Sequence, residues 1–163
     1  MASIMGVLEK LSRLVIGGNA GTASEAIAAL IQSYIDCARC TAQLVRHAEL
    51  APQRYSADAL RLLASGEAKQ LERLRQALEA AGADVPSVSS GSPSRSALNH
   101  WARLLQDLEA HRRSTQRLRE LAIRFAETFP QTAGLFEGLC REELLHCEDL
   151  RTLIARADPQ ALD

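Results

Sequence analysis

The connection between the second and third helical segments limits the possible folds of this chain more than any other segment does. Residues 83–96 are rich in serine, glycine and proline and show no helical period, whereas the segments on either side place an apolar residue at every third or fourth position. The other two connections are short and contain Pro52 and Pro130. Short turns between amphipathic helices predict two antiparallel hairpins.

The length of the middle connection predicts how the two hairpins are joined. About 14 extended residues span roughly 46–50 Å, and a helix of about 26 residues is roughly 39 Å long. The connection can therefore run the length of a bundle and start the third helix parallel to the second. We predict an all-α four-helix bundle with one long crossover; a loose linker in a simple up-and-down bundle is the alternative.

The chain of 163 residues suits one domain, and its composition, 47% hydrophobic and 24% charged, is that of a globular protein with a core. We assign residues 19–158 to the bundle, with 83–96 as its linker, and 159–163 to a C-terminal tail. Residues 1–18 predict a short extra N-terminal amphipathic helix. That helix packs either on its own bundle or on a partner protein, and the sequence leaves both open.

Helix termini and the surface can also be predicted. Thr22 begins a capping box and predicts the start of the first helix. Ser56 is a good N-cap for the second helix, and Gly82 predicts its end. His100, near the start of the third helix, is expected to be exposed.

The hydropathy of the chain and the composition of its first residues predict a cytoplasmic protein. The sequence has neither a long apolar run nor the order of a signal peptide, so we expect no membrane segment. Its cysteines are then expected as thiols or metal ligands rather than disulfides. Cys37 and Cys40 form a CxxC motif, but it lies mid-helix after Asp36, which is unfavourable for a redox thiolate. Soft-metal binding with Cys140 or Cys147 remains a second interpretation.

Several polar residues interrupt the apolar stripes near the middle of the predicted helices. Buried charges require partners. Glu67 and Gln70 lie three positions apart on the second helix, and Glu143 and His146 have the same spacing on the fourth. Each pair therefore shares a helix face and can reach one ion. The candidate metal ligands on the stripes are Glu67, Glu143, His146, His111, Cys37 and Gln70.

The sequence around these pairs carries a family resemblance. Residues 67–82 and 142–150 resemble the second and fourth helices of the ferritin-like superfamily, in its rubrerythrin and bacterioferritin style, and the likeness extends over roughly residues 22–157. The resemblance implies a ferritin-like bundle with a diiron centre and oxidation chemistry on iron. In that family, helices one and three each supply a glutamate, and helices two and four each supply Glu-x-x-His.

This sequence departs from the family's ligand pattern. Glu143 and His146 match the fourth-helix pair, and Glu67 matches the glutamate of the second helix, but Gln70 stands where the histidine is expected. At the glutamate positions of the first and third helices the stripes offer other side chains, namely Tyr34, Cys37 and His111.

These departures predict a modified centre, mononuclear or non-iron, that binds iron, zinc or copper. The alternative is a metal-free polar core in which Glu67 and Glu143 pair with histidines, in a non-catalytic assembly or interaction protein. No haem is expected, because the methionines are Met1 and Met5 and neither is mid-helix.

Partner predictions follow from charge. The net charge is -1, and the third-helix arginines alternate with acidic residues, among them Asp107, as on a solvated face. We therefore predict no nucleic acid partner. A homodimer is expected from the resemblance and from the frequency of two-fold oligomers.

Overall fold

The computed structural model describes residues 20–88 and 99–160. Within these residues the chain forms four helices and no strand: α1 (Ala20–Glu49), α2 (Arg54–Ala80), α3 (His100–Phe125) and α4 (Pro130–Arg156). The all-α prediction is confirmed. The predicted N-terminal helix at residues 1–18 lies outside the described residues. None of the described helices combines the length and the hydropathy needed to span a membrane.

The helices form two hairpins, α1 with α2 and α3 with α4, and the hairpins meet through α1 against α3 and α2 against α4. Side-chain contacts give the directions. Gln43, late in α1, bonds to Asp107, early in α3. Arg124, at the end of α3, pairs with Glu25, near the start of α1. Helices α1 and α3 are therefore antiparallel.

This direction determines how the hairpins are connected. Because α1 is antiparallel to both α2 and α3, helices α2 and α3 begin at the same end of the bundle. The end of α2 and the start of α3 therefore lie at opposite ends of the bundle, and the connection joins those two ends. The predicted crossover is confirmed, and the alternative of a simple up-and-down bundle is wrong.

The apolar core is divided into two parts. One cluster includes Leu74, Leu118 and Phe136, and the other, nearer the turn between α1 and α2, includes Leu60 and Leu150. The sequence positions between these clusters on α2, α3 and α4 carry the polar residues that interrupt the stripes. A polar layer therefore lies between two apolar layers at mid-height.

Two predictions at the helix termini are wrong, and one is confirmed. Helix α2 begins at Arg54 with Gln53 as its N-cap, and Ser56 is instead buried. A 2.6 Å hydrogen bond joins the Ser56 hydroxyl to Nε2 of His100, which is buried rather than exposed. The Ser56 hydroxyl therefore bonds to α3 instead of capping α2, because two buried polar groups away from water each need a hydrogen-bond partner. Gly82 ends α2 with a φ of 70°, as predicted.

Helix α1 begins at Ala20, earlier than the capping box at Thr22 predicts. Assigned helix starts vary by one or two residues, so this difference leaves the register of the α1 stripe unchanged. That register places Cys37, Leu44 and Ala48 among the buried residues.

Candidate metal centre

Four side chains from three helices converge at mid-height. Glu67 lies on α2, His111 on α3, and Glu143 and His146 lie one turn apart on α4. Each offers a ligand atom, and these atoms all lie within 4.8 Å of one another. Three of the residues are almost completely buried, at 1–2% exposure, and the His146 side chain is 13% exposed. We call these four residues the central quartet.

Hydrogen bonds pair each carboxylate of the central quartet with a histidine. Nδ1 of His111 lies 2.6 Å from Oε2 of Glu143, and Nδ1 of His146 lies 2.9 Å from Oε1 of Glu67. His111 is also 3.8 Å from Glu67, so it lies between the two carboxylates. The imidazole rings of His111 and His146 meet edge to face, with centroids 5.5 Å apart. The central quartet is thus one connected unit.

Proximity and burial give the two carboxyl groups opposite pKa shifts. Burial, reinforced by the charge of Glu67, raises the pKa of Glu143 to about 7 despite the hydrogen bond to His111. Burial opposes ionisation of Glu67 as well, but its hydrogen bonds to His146 and Glu143 outweigh burial and lower its pKa. Glu67 therefore carries the charge, and Glu143 keeps a proton into the neutral range.

The neighbours of His111 raise its pKa. Burial lowers its pKa, but the hydrogen bond and charge of Glu143 together with the charge of Glu67 outweigh burial, so the net shift is upward. Raised pKa values on a buried acid and a buried imidazole mean that the site holds protons more readily than free side chains do, and a cation that binds there displaces them. Two carboxylates and two imidazoles are a donor set for a first-row transition ion rather than for calcium or magnesium.

Cys37 lies beside the central quartet but is not grouped with it. Its thiol donates to the backbone oxygen of Glu67 at 3.3 Å and to Oε2 of the same residue at 3.4 Å. Burial, followed by the charge of Glu67, raises the pKa of Cys37 far above the neutral range, and burial raises that of Cys40 similarly. All four cysteines lie in the described part of the chain and are free thiols. Protonated thiols argue against a dithiol redox role for the CxxC motif.

Gln70 and Tyr34 complete the positions that the sequence singles out. Gln70 is 2% exposed, and its amide nitrogen has no hydrogen-bond partner among the described residues. It lines the same pocket as Glu143 and Cys37. Tyr34 is partly buried against the apolar cluster that includes Leu74. The stripes therefore bring Gln70 close to the central quartet, whereas Tyr34 belongs to the packing beside it.

Gly66 makes room for His146, and sequence reasoning missed it. A Cβ atom added at Gly66 would lie 2.8 Å from Nε2 of His146. The imidazole therefore lies against the backbone of α2, where any other residue would displace it. A glycine inside a helix destabilises it by roughly 1 kcal/mol relative to alanine. Its position inside α2 was the available signal that something packs closely there.

A second buried polar cluster, also missed, lies nearer the turn between α1 and α2. Asp107 is 1% exposed and accepts a 2.6 Å hydrogen bond from the Gln43 amide. Nδ1 of His47 lies 2.8 Å from its other oxygen. The prediction that Asp107 belongs to a solvated charged face is therefore wrong. The alternation of charges on α3 concealed that position 107 falls on the buried stripe. We call Gln43, His47 and Asp107 the end cluster.

Comparison with known proteins adds no family to this geometry. The sequence matches no protein-family model, and no significant match to a curated protein is found. The case for a function therefore rests on the central quartet and its surroundings.

Proposed function

We propose that this protein binds one first-row transition metal ion through Glu67, His111, Glu143 and His146. The observation that carries the proposal is the convergence of four potential ligand atoms within 4.8 Å, buried between two apolar layers. The donors are of the kind that zinc, iron and copper accept. Gly66 supports the proposal, because α2 leaves space for an imidazole there.

The central quartet fits one ion better than two. A ferritin-like diiron centre takes six side chains, including a glutamate from each of helices one and three. Here the quartet draws on α2, α3 and α4, and the α1 side chain beside it is the thiol of Cys37. A ferritin-like relationship remains part of the proposal, supported by the crossover and by the spacing of Glu143 and His146. Oxidation chemistry on iron is what that relationship implies if the ion is iron.

A metal-free polar core is the second candidate, and a specific observation favours it. Every member of the central quartet already has a hydrogen-bond partner within it. A buried network that is satisfied in this way can persist without an ion. The protein would then be a non-catalytic assembly or interaction protein. For either candidate we propose that the protein is cytoplasmic and forms a homodimer.

Elemental analysis of protein purified without tag, chelator or added metal tests the proposal. We expect about one equivalent of a transition metal per chain, and we expect the double variant Glu143→Gln, His146→Gln to lose it. The matched control is Glu148→Gln, which neutralises an exposed carboxylate on the same helix and should keep the metal.

The opposite results favour the metal-free core. Protein that is purified without metal and then fails to take up zinc, iron or copper on addition would remove the proposal. Metal that persists in the double variant would place it elsewhere on the chain. The element found in the wild-type protein selects between an iron centre and a zinc or copper site.

A further inference from the structure

A pocket of about 420 Å³ lies between α1 and α3 and extends inward to α2 and α4. Its mouth includes the exposed side chains Arg39 and Arg113, so it reaches the surface. Its floor includes Glu143 of the central quartet. The pocket therefore connects solvent with the proposed metal site, on the opposite side of the bundle from the α2–α4 contact at which His146 lies against Gly66.

Two buried hydrogen-bonding groups in this pocket have no partner among the described residues. They are Nε2 of Gln70 and Oγ of Ser33, in residues that are 2% and 6% exposed. Nearly all buried polar groups in folded proteins are satisfied. An amide nitrogen is a donor only, so Gln70 requires an acceptor. A bound molecule with an oxygen acceptor would supply one.

The charges and the walls of the pocket narrow the kind of molecule. Three arginines contribute to the lining, and two of them are already paired with acids. Arg117 binds Asp36 at 2.9 Å, and Arg113 lies 3.7 Å from Glu109. The third, Arg39, is exposed at the mouth, where its charge attracts anions and raises their local concentration. Leucine side chains from three helices provide apolar wall, namely Leu74, Leu118 and Leu139.

We propose that this pocket binds a small organic carboxylate, with its carboxylate at Gln70 and Ser33 and its apolar part against the leucines. The inference rests on the proposed function, because a metal ion balances the negative charge of Glu143 at the floor. Carboxylate and metal then stabilise one another. By linkage, each raises the affinity for the other by the same factor.

Calorimetric titration of the zinc-loaded protein with hexanoate tests the inference. Hexan-1-ol and hexylammonium are the matched probes, since they keep the chain length and change only the head group. We expect saturable binding of hexanoate at least tenfold tighter than that of either control. Hexanoate should also bind more tightly to zinc-loaded than to metal-free protein.

Variants locate the binding site. Gln70→Leu removes the donor at similar volume and should weaken hexanoate at least tenfold, and Arg39→Gln should weaken it about threefold. Arg119→Gln, an exposed arginine of α3 outside the pocket, should change nothing. Should Gln70→Leu fail to fold, as judged by its helical circular dichroism, Ser33→Ala replaces it, with an expected weakening of about threefold.

The outcomes separate this inference from the proposed function, because zinc uptake is measured on every sample. Protein that takes up zinc but binds hexanol as tightly as hexanoate overturns the inference alone. Unchanged hexanoate affinity in Gln70→Leu, or in Ser33→Ala where it replaces that variant, also overturns the inference alone. Protein that takes up none of zinc, iron and copper overturns the proposed function, and this inference with it.

Discussion

The central quartet and the end cluster are both buried arrangements of histidine and carboxylate, and they differ in how their charges balance. In the end cluster a single carboxylate, Asp107, receives hydrogen bonds from the Gln43 amide and the His47 imidazole. In the central quartet the two carboxyl groups lie close enough to shift each other's pKa. Glu67 raises the pKa of Glu143, and the hydrogen bond with Glu143 lowers the pKa of Glu67.

That difference separates a structural pair from a candidate ion site. A buried carboxylate that accepts hydrogen bonds from an amide and an imidazole has partners for its oxygens within the fold. Two adjacent buried carboxyl groups are both ionised only when a cation compensates their charge. Without a cation, one of them keeps a proton. The end cluster therefore explains itself as a clamp between α1 and α3, whereas the central quartet retains protons that a metal ion can replace.

Neutralising one carboxylate in each cluster should give the largest contrast. Asp107→Asn leaves the His47 and Gln43 donors poorly paired in the interior, and we expect the free energy of unfolding to fall by about 2–3 kcal/mol. Glu143→Gln replaces a carboxyl group that keeps its proton into the neutral range with a neutral amide of similar size, so it should cost the metal-free protein less than about 1 kcal/mol. Urea unfolding of metal-free samples measures both.

Zinc reverses the ranking of these two variants. Asp107→Asn should keep the stabilisation that zinc gives the wild-type protein, and Glu143→Gln should lose it. Equal losses of stability in the two metal-free variants would contradict the distinction between the clusters. So would zinc stabilisation of both.

The second contrast is in pH dependence. Glu143 keeps its proton to about pH 7 when folded, against an ordinary value of 4.5, and the pKa of His111 is also raised. The folded state therefore binds more protons than the unfolded state, so metal-free stability should fall as pH rises, by about 1–2 kcal/mol between pH 6 and pH 8. The lowered pKa of Glu67 contributes stability that is lost only below 4.5.

Zinc stabilisation should change in the opposite direction over the same range. Ligands must release protons to bind a metal, so the zinc-induced rise in Tm should grow from pH 6 to pH 8. Calorimetric melts with and without zinc measure both slopes. Glu143→Gln should reduce the loss of metal-free stability between pH 6 and pH 8 by about 1 kcal/mol. An unchanged loss in that variant would mean that another group titrates in this range.

The smallest expected effect on stability comes from Gly66→Ala. Alanine favours the helix by up to about 1 kcal/mol, but its Cβ would lie 2.8 Å from His146 and displace the imidazole. We expect unchanged or slightly higher metal-free stability and roughly tenfold weaker zinc binding by competition with a chelator. Gly134→Ala in α4 is the control, since nothing lies within 4 Å of the added atom. Equal zinc affinities in the two variants would remove His146 from the site.

The helical periods and loop lengths predicted the architecture well. A stripe repeated at every third or fourth position defines which residues face inward, and a connection of about 14 residues is long enough to span a bundle. The same stripes identified Glu67, His111, Glu143 and His146, because charged residues at buried positions are conspicuous in an apolar pattern. Convergence at one height followed from their mid-helix positions.

What the sequence did not predict depends on contacts between helices. Ser56 looks like an N-cap, but its partner is His100, which lies 44 positions later in the sequence. Asp107 looks like one charge among many on α3 until His47 is seen beside it. Local preferences cannot reveal such pairs, since the choice between a cap and a cross-bundle hydrogen bond is made by packing. Whether the quartet binds an ion is likewise a matter of free energy rather than of pattern.

A crystal structure of zinc-loaded protein, with data collected above and below the zinc absorption edge, shows whether the central quartet binds a metal ion. We expect one anomalous peak per chain at mid-height, with ligand atoms of Glu67, His111, Glu143 and His146 at about 2.0–2.2 Å. An empty centre in zinc-saturated crystals, with the His111–Glu143 and His146–Glu67 hydrogen bonds still in place, would contradict it and identify the central quartet as a polar core.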